Sequence, residues 1–535
     1  MRKLRLILLA TLALALLPAA AASAQDGIDI RRERVTFGPH TSMVTTVTMP
    51  RPVGNRVLAP ALPGGIVSEG TATVSAVSKS LSRHGTAVAI NADLFEYATG
   101  QPSGLLLIDG EVYNQPQGAR PALQIDAGGT LHTSRPRARG VLTLPSRRDV
   151  PFQVNVRSAP TGAVFYDRGW GPSAPSGATH AFVGRLVSAR LRNQGETWSA
   201  NADMRVVRAR AGALPIPPEA SPDELFQAAG SAGSALGRLR PGQSVGVRYR
   251  LGPLTPDVSS AIGGGPVLIQ DGRIVFSVAQ ASREFTRGQL VPPDARTAVA
   301  QLRDGRIVFY AADLRPGMTG LTIAEVAQDL KRRGAVTAMS FDSGGSTSVA
   351  INGRLLNQPS DGVERPVGNQ LVYFVGDRGN RQPVAGITVG RRAAGARVPT
   401  LSYTMLRPAR VSVSLRDPRG RVVVGPVRRV GVGVHPIRIP AGVPLRPGRW
   451  TAVVTSLAQD TTTDASFTVT RAPTTPAVTT PTNVPAGGAI PAPAASEEHG
   501  AGEHIEGVTW ILVALGVALA LAGALAVLLV RHARR

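Results

Sequence analysis

The chain has 535 residues, with 59 glycines, 43 prolines, 4% aromatic residues and no cysteine. That length exceeds one ordinary domain, the Gly and Pro content speaks against a helical bundle, and the lack of cysteine excludes disulfides and thiolate chemistry. The formal charge of +24 is carried almost wholly by scattered arginines, the only lysines being Lys3, Lys79 and Lys331; without a dense basic run or interleaved aromatics, it describes a solvated surface and no nucleic-acid partner.

Residues 1–24 combine early basic residues, an apolar stretch and the small-x-small ending Ala22-Ser23-Ala24, the pattern of a secretory signal. The main body spans about Ile30–Gly376. A helix is expected over Thr73–His84, stopped by Gly85, then a strand Thr86–Ile90 that runs into Asn91-Ala92-Asp93. The arrangement recurs later: Thr322 and Glu325 form a capping box for a helix over Ile323–Arg333 with Ile323, Val326, Ala327 and Leu330 on one face. Gly334 stops that helix, and a strand Ala335–Phe341 runs into Asp342. The dipeptides Asp109-Gly110, Asp271-Gly272, Asp304-Gly305 and Asn352-Gly353 each sit between apolar runs and signal hairpins. This pattern predicts an α+β, or mixed α/β, body rich in β-hairpins. Residues 384–470 carry short alternating strands and predict a small β-sandwich. Residues 471–507 are rich in Pro, Thr and Ala and predict a disordered stalk. The unbroken apolar run Val508–Val530 is long enough to span a bilayer, and Arg531, Arg534 and Arg535 follow it. The positive-inside rule then predicts a single-pass cell-membrane protein with its body outside and residues 531–535 in the cytoplasm.

Four loops carry chemistry-bearing residues. FDSGGSTSV, Phe341–Val349, follows an apolar strand. Its glycines permit close backbone approach, and Gly344, Gly345 and Ser346 offer donors for an anion. No G-x-S-x-G surrounds Ser346, so an esterase elbow is not supported. NQPSDGVERPVGN, Asn357–Asn369, places Asp361, Glu364 and Arg365 within one turn-rich segment, where Pro366 biases Arg365 towards an extended backbone. NADLF, Asn91–Phe95, precedes Pro102 and Gly104. AIGGGPVLIQDGR, Ala261–Arg273, is followed by Asp294-Ala295-Arg296-Thr297 and lacks the ending of a phosphate P-loop. Taken one at a time, each reads equally well as a turn between strands.

Together these segments resemble the phosphodiester glycosidase family. The family's patterns N-G/A-D/G-F-F with G-x-P-x-G, A-I-G-G-G-P, R-T-A-V, D-G-G-G-S-T and P-S-D-G-x-E-R-P-V-x-N match, in order, Asn91–Phe95 with Pro102 and Gly104, Ala261–Pro266, Arg296–Val299, Asp342–Thr347 and Pro359–Asn369. Ser343 stands where glycine is usual, which would narrow the pocket floor, and Leu94 replaces the first Phe. The sandwich behind the body is similar to the immunoglobulin-like domain of flagellar hook-capping proteins. The resemblance implies a glycan or sugar-phosphodiester substrate cleaved at the anomeric C–O bond. A phosphate ester leaves as a weakly basic anion. The site therefore needs positive charge and N–H donors more than the paired acid of an ordinary glycosidase. Asp342, Glu364, Arg365 and Asp93 are the candidate catalytic residues. Asn91, Arg296, Gly344, Gly345, Ser346, Asp361 and Asn369 are the candidates for substrate binding. A divalent cation such as calcium between Asp93 and Asp342 is an open alternative. So are a non-catalytic envelope module that binds a glycan and a serine hydrolase built on Ser346 with His84 or His180.

Overall fold

The structure, a computed structural model, describes residues 26–470 apart from short internal stretches that include 68–69, 158–161, 218–222 and 377–383. The expected secretory signal, stalk and membrane span lie outside the described residues. No helix among the described residues is long and apolar enough to cross a membrane. The expectation of a single-pass cell-membrane protein is corrected on that finding, and with it the C-terminal helix as a membrane partner.

The α+β expectation is also corrected, because the described residues are 50% strand and 11% helix. Three open sheets and a closed barrel make up the body. The first sheet has seven strands in the order Asp29–Phe37, His40–Met49, Ile307–Ala312, Arg296–Leu302, Ala335–Ser340, Val267–Gln270 and Arg273–Ile274. The second has five, in the order Arg354–Leu355, Val349–Ile351, Gly85–Asn91, Gln370–Gly376 and Arg56–Ala61. The third, also five-stranded, is centred on Val258–Gly263. Both helix–strand units form as the sequence predicts, as Val74–Leu81 with Gly85–Asn91 and Ile323–Arg332 with Ala335–Ser340. Yet both strands pair antiparallel with their neighbours, so neither helix is the crossover of a parallel sheet. The one parallel pair among the described strands joins Asp149–Val154 to Ala163–Tyr166, within the barrel.

Period-two alternation decides which faces meet. In Gly85–Asn91 the small residues Ala87 and Ala89 face the helix Val74–Leu81, while Val88 and Ile90 face the central core. In Arg296–Leu302, Ala298 and Ala300 lie under the helix Ile323–Arg332, and Val299 points inward. Val47, Phe309, Leu371, Tyr373, Leu123 and Ile262 complete a core shared by all three sheets. Each such side chain contributes roughly 1.5–3 kcal/mol on burial, so the facing of the sheets is strongly specified. The capping box at Thr322 and Glu325 is present in both directions. Asp271-Gly272 and Asn352-Gly353 have positive φ at both residues, as a tight hairpin turn requires.

The barrel has seven strands, among them Arg137–Thr143, Asp149–Val154, Ser244–Gly252 and the long pair His180–Gln194 and Thr197–Ala211. It is filled by its own aromatic cluster, Phe152, Phe182 and Phe226. Beyond the body, strands from Val384–Val389 to Thr461–Val469 make two further sheets around a core of Tyr403, Met405, Val411, Trp450 and Phe467. These sheets belong to the same compact unit as the body.

Candidate active site

Strands from two different sheets deliver the two acids. Asn91 ends the central strand of the second sheet, and Asp342 follows the strand Ala335–Ser340 of the first. The Asn91 side chain joins them: its Nδ2 donates to the Asp342 carbonyl at 2.7 Å, and its Oδ1 accepts from Thr297 Oγ1 at 3.0 Å and the Ser348 N–H at 3.1 Å. The Asp342 N–H donates to the Ala92 carbonyl at 2.8 Å. From a third segment, Asn369 clamps the Asp93 backbone, accepting from its N–H at 2.7 Å and donating to its carbonyl at 3.2 Å. Both asparagines are fully buried. They position the acids and leave no group for a substrate, which corrects their expected binding role.

Asp93 is 1% exposed. Its Oδ2 accepts from the Gly104 N–H at 2.5 Å, and Arg120 Nη2 donates to Oδ1 at 3.4 Å. The glycines of the third and fourth loops are explained here. A Cβ on Gly104 would lie 2.8 Å from this carboxylate, and one on Gly263 would crowd it further. Burial pushes the Asp93 carboxyl up to about 6, against the opposing pull of Arg120 and the backbone donors. Asp342 is only partly covered. Its burial likewise pushes its carboxyl up to about 6; the Ser346 hydroxyl and the Ser343 N–H hold it down, the charge of Asp93 adds to the rise, and Arg365 opposes it. Burial dominates both shifts, and the charge of Asp93 is a smaller contribution to that of Asp342.

Arg365 brings positive charge to the same place. Its Nε and Nη2 donate to Asp361 Oδ2 at 2.9 and 2.6 Å. Its Nη1 donates to the Tyr97 hydroxyl at 2.8 Å and to Ser346 Oγ at 3.4 Å, and the guanidinium lies over the Tyr97 ring, 5.5 Å from its centroid. Ser346 thus touches both Asp342 and Arg365. Gly345 packs so closely that a Cβ would overlap the Arg365 guanidinium and the Asp361 carboxylate. Gly344 takes a positive φ of 63° and donates its N–H to the Ala295 carbonyl at 2.9 Å, so that donor is not available to a ligand. Asp361 is a holder of Arg365 and not a binding group in its own right. The departure at Ser343 does not fill the pocket, because its hydroxyl turns back onto the Phe341 carbonyl at 3.1 Å. Leu94 packs against the core beneath the helix Ile323–Arg332.

Two sequence candidates fall elsewhere. Arg296 is 2% exposed, and its guanidinium donates to the carbonyls of Leu321, Gln289 and Pro292 at 2.9, 2.9 and 2.5 Å. It ties a loop to the first sheet, and no fork remains for a phosphate. Glu364 does not reach the acids; its carboxylate accepts from the Ser75 N–H at 2.8 Å and from the Ser75 hydroxyl, anchoring the first turn of the helix Val74–Leu81. No group of three or more His, Cys, Asp or Glu that could hold a metal ion occurs among the described residues. With Asp93 already bonded to Gly104 and Arg120, the pair of acids does not fit a calcium cage, which asks for six or more oxygen ligands. Among the described side chains Ser346 meets Arg365 and no histidine, so no pair with His180 forms; the His84 side chain lies outside the described ones. The sequence reading missed Arg120 and Tyr97. Tyr97 follows NADLF by two residues, where an aromatic beside a polar loop is a legible signal; Arg120 carries none, being a lone arginine in a connection.

Residues 200–374 match the family model for phosphodiester glycosidase, which ends before the strands of 384–469. The N-acetylglucosamine-1-phosphodiester alpha-N-acetylglucosaminidase of Mus musculus is 33% identical over 119 residues, 21% of this chain and 23% of that protein. The Homo sapiens protein of the same name is 37% identical over 102 residues, 18% of this chain and 20% of its own. The chain thus matches about a fifth of the length of these curated relatives. Among solved structures, a hypothetical protein from Synechocystis superposes with a TM-score of 0.54 at 26% identity, covering 65% of this chain and 62% of that one.

Proposed function

We propose that residues 30–376 form a glycosidase domain that hydrolyses a sugar-1-phosphodiester at its anomeric C–O bond. The observation that carries the reading is the convergence of Asp342, Ser346 and Arg365, a half-buried carboxyl near a hydroxyl that a forked cation contacts. Arg365, steadied by Asp361 and Tyr97, suits a phosphate oxygen, and the Ser346 hydroxyl adds a donor. Asp342 takes a proton from water as the water oxygen bonds to the anomeric carbon. The bond from that carbon to the phosphate oxygen breaks, and its electron pair leaves with the phosphate monoester. The proton then passes from Asp342 to solvent. Little acid help is needed, because the leaving phosphate is weakly basic and meets Arg365 as its charge develops. Asp93 is buried away from the reacting atoms. Its charge raises the affinity of Asp342 for a proton, which makes Asp342 a stronger base near neutral pH.

The test is incubation with a sugar-1-phosphodiester in water enriched in ¹⁸O. The label is expected in the free sugar, with an unlabelled phosphate monoester as co-product. Asp342→Asn is expected to reduce turnover by about 10²–10⁴, the usual contribution of a general base. Label in the phosphate would mean P–O cleavage and a different enzyme. Absence of turnover by the unaltered chain would favour a glycan-binding module without catalysis.

A further inference from the structure

An open cavity of about 830 Å³ lies between the segment Phe95–Ser103 and the barrel strands Arg137–Thr143 and Asp149–Val154. Its lining includes Gln101, Gln115, Gln153 and Arg137, together with Arg157, which is paired with the Glu96 carboxylate at 3.9 Å. Its floor is a built polar network. Gln101 Nε2 donates to Asn114 Oδ1 at 3.0 Å, and Gln115 Oε1 accepts from the Val154 N–H at 2.9 Å. Asn114 Nδ2 donates to the Gly104 carbonyl at 2.6 Å. Gly104 is the residue whose N–H holds Asp93, so the floor of the cavity and the acid site are one continuous structure. Phe95, in the cavity wall, packs on Tyr97 with ring centroids 5.1 Å apart, and Tyr97 meets Arg365.

Amides and guanidiniums suit hydroxyls and phosphates and do not suit an apolar ligand. The charge continues along the barrel wall. Arg137 and Arg139 share the exposed face of one strand, and Arg250 stands directly opposite Arg139 on the next. Like charges opposed across a strand pair are destabilising. On the same wall Arg248 is neutralised by Asp149 at 2.9 Å, whereas no ion pair is formed by Arg137, Arg139 or Arg250 among the described residues. A surface that keeps such an arrangement beside the cavity is matched to an anion supplied from outside.

From this geometry we infer that the substrate is a polymer of repeating sugar-phosphate units. The inference rests on the hydrolytic reading above. One phosphodiester sits at Arg365 and Asp342, the adjoining sugars lie along the amide-lined groove, and the neighbouring phosphates meet Arg137, Arg139 and Arg250. None of these three arginines touches the reacting atoms, so a single sugar-1-phosphodiester is processed without them.

The experiment compares the full chain with an Arg137→Gln, Arg139→Gln, Arg250→Gln variant on two probes, an oligomer of glycosyl-phosphate repeats and its single unit, at low and high salt. The expected result is a rise in KM for the oligomer of about tenfold in the variant, from three partly exposed charge contacts, with unchanged kinetics on the single unit. The oligomer's salt dependence should weaken in parallel. Equal handling of the oligomer and single unit by the unaltered chain, or an unchanged oligomer KM in the variant, would overturn the track while leaving the hydrolytic reading intact. If neither probe is cleaved, the hydrolytic reading fails, and anisotropy of a fluorescent oligomer still decides the track. Weaker binding by the variant supports it, and equal binding overturns it. Competition by inorganic polyphosphate as strong as by the oligomer would show a surface that reads charge alone, and would overturn the sugar-polymer assignment.

Discussion

Asp93→Asn separates the electrostatics of the two acids from their shape. The folded chain raises this carboxyl from 3.8 to about 6, which corresponds to about 3 kcal/mol in favour of the protonated form. The sign follows from linkage. Below about pH 4 the group is protonated folded or unfolded and has no effect. Between about 4 and 6 the unfolded chain releases its proton first, so stability falls as the pH rises. Above about 6 the full cost of ionising a buried group persists. A neutral amide of the same shape avoids that cost. Urea melts should therefore find Asp93→Asn more stable than the parent near neutral pH, by up to about 3 kcal/mol, with the difference closing towards pH 4. The amide keeps one acceptor for the Gly104 N–H and turns its NH2 towards Arg120, which works in the other direction, but the Arg120 side chain is 16% exposed and can turn to water. The same substitution removes a negative charge that raises Asp342. The acid limb of the pH–rate profile, expected near about 6, should shift to lower pH. A variant that is less stable at neutral pH, or a difference that does not change with pH, would refute the idea of an ionised carboxylate held against its own burial. An acid limb that stays in place would show that the two acids do not couple.

Three further outcomes are expected. Arg365→Lys keeps the charge but cannot reach Asp361, Tyr97 and Ser346 together, so kcat/KM on a sugar-1-phosphodiester should fall by about 10² or more with a near-normal melt; unchanged kinetics would remove Arg365 from the chemistry. Glu364→Gln weakens the anchor on Ser75 and should cost about 1–2 kcal/mol in a denaturant melt, with turnover within a few-fold of the parent; abolished turnover in a stable variant would return Glu364 to the active site. A chain ending after Gly376 retains all three sheets of the body and their shared core, so one cooperative thermal transition should remain; aggregation would show that the sheets beyond Val384 complete that core.

Much of the molecule follows from rules that act over a few residues. Thr322 and Glu325 announce a helix start because a capping box needs only a spacing of three. Gly85 and Gly334 end the helices, and Asn352-Gly353 turns a hairpin, because each conformation is decided by the residue's own backbone freedom. The same locality left the stretch FDSGGSTSV open between a turn and a site, with a carboxylate at a strand end, glycines for close approach and hydroxyls to donate; only the set of loops together pointed to chemistry. What no short window holds is the identity of a partner. Whether the strand after a helix pairs parallel or antiparallel depends on segments hundreds of residues away, and that choice turned an expected mixed α/β body into a largely β one. Arg296 and Arg365 look alike in sequence, each an arginine in a recognisable motif. Only the packing of Leu321, Gln289 and Pro292 around Arg296 takes up its donors, while Arg365 lands beside Ser346 and Asp342. Glu364 and Asp342 differ in the same way, one closing onto Ser75 and the other remaining partly open. Arg120 reaches Asp93 from a connection with no signal of its own, because a charge acquires its function from the groups brought within a few ångströms of it, and that neighbourhood exists only once the sheets have closed.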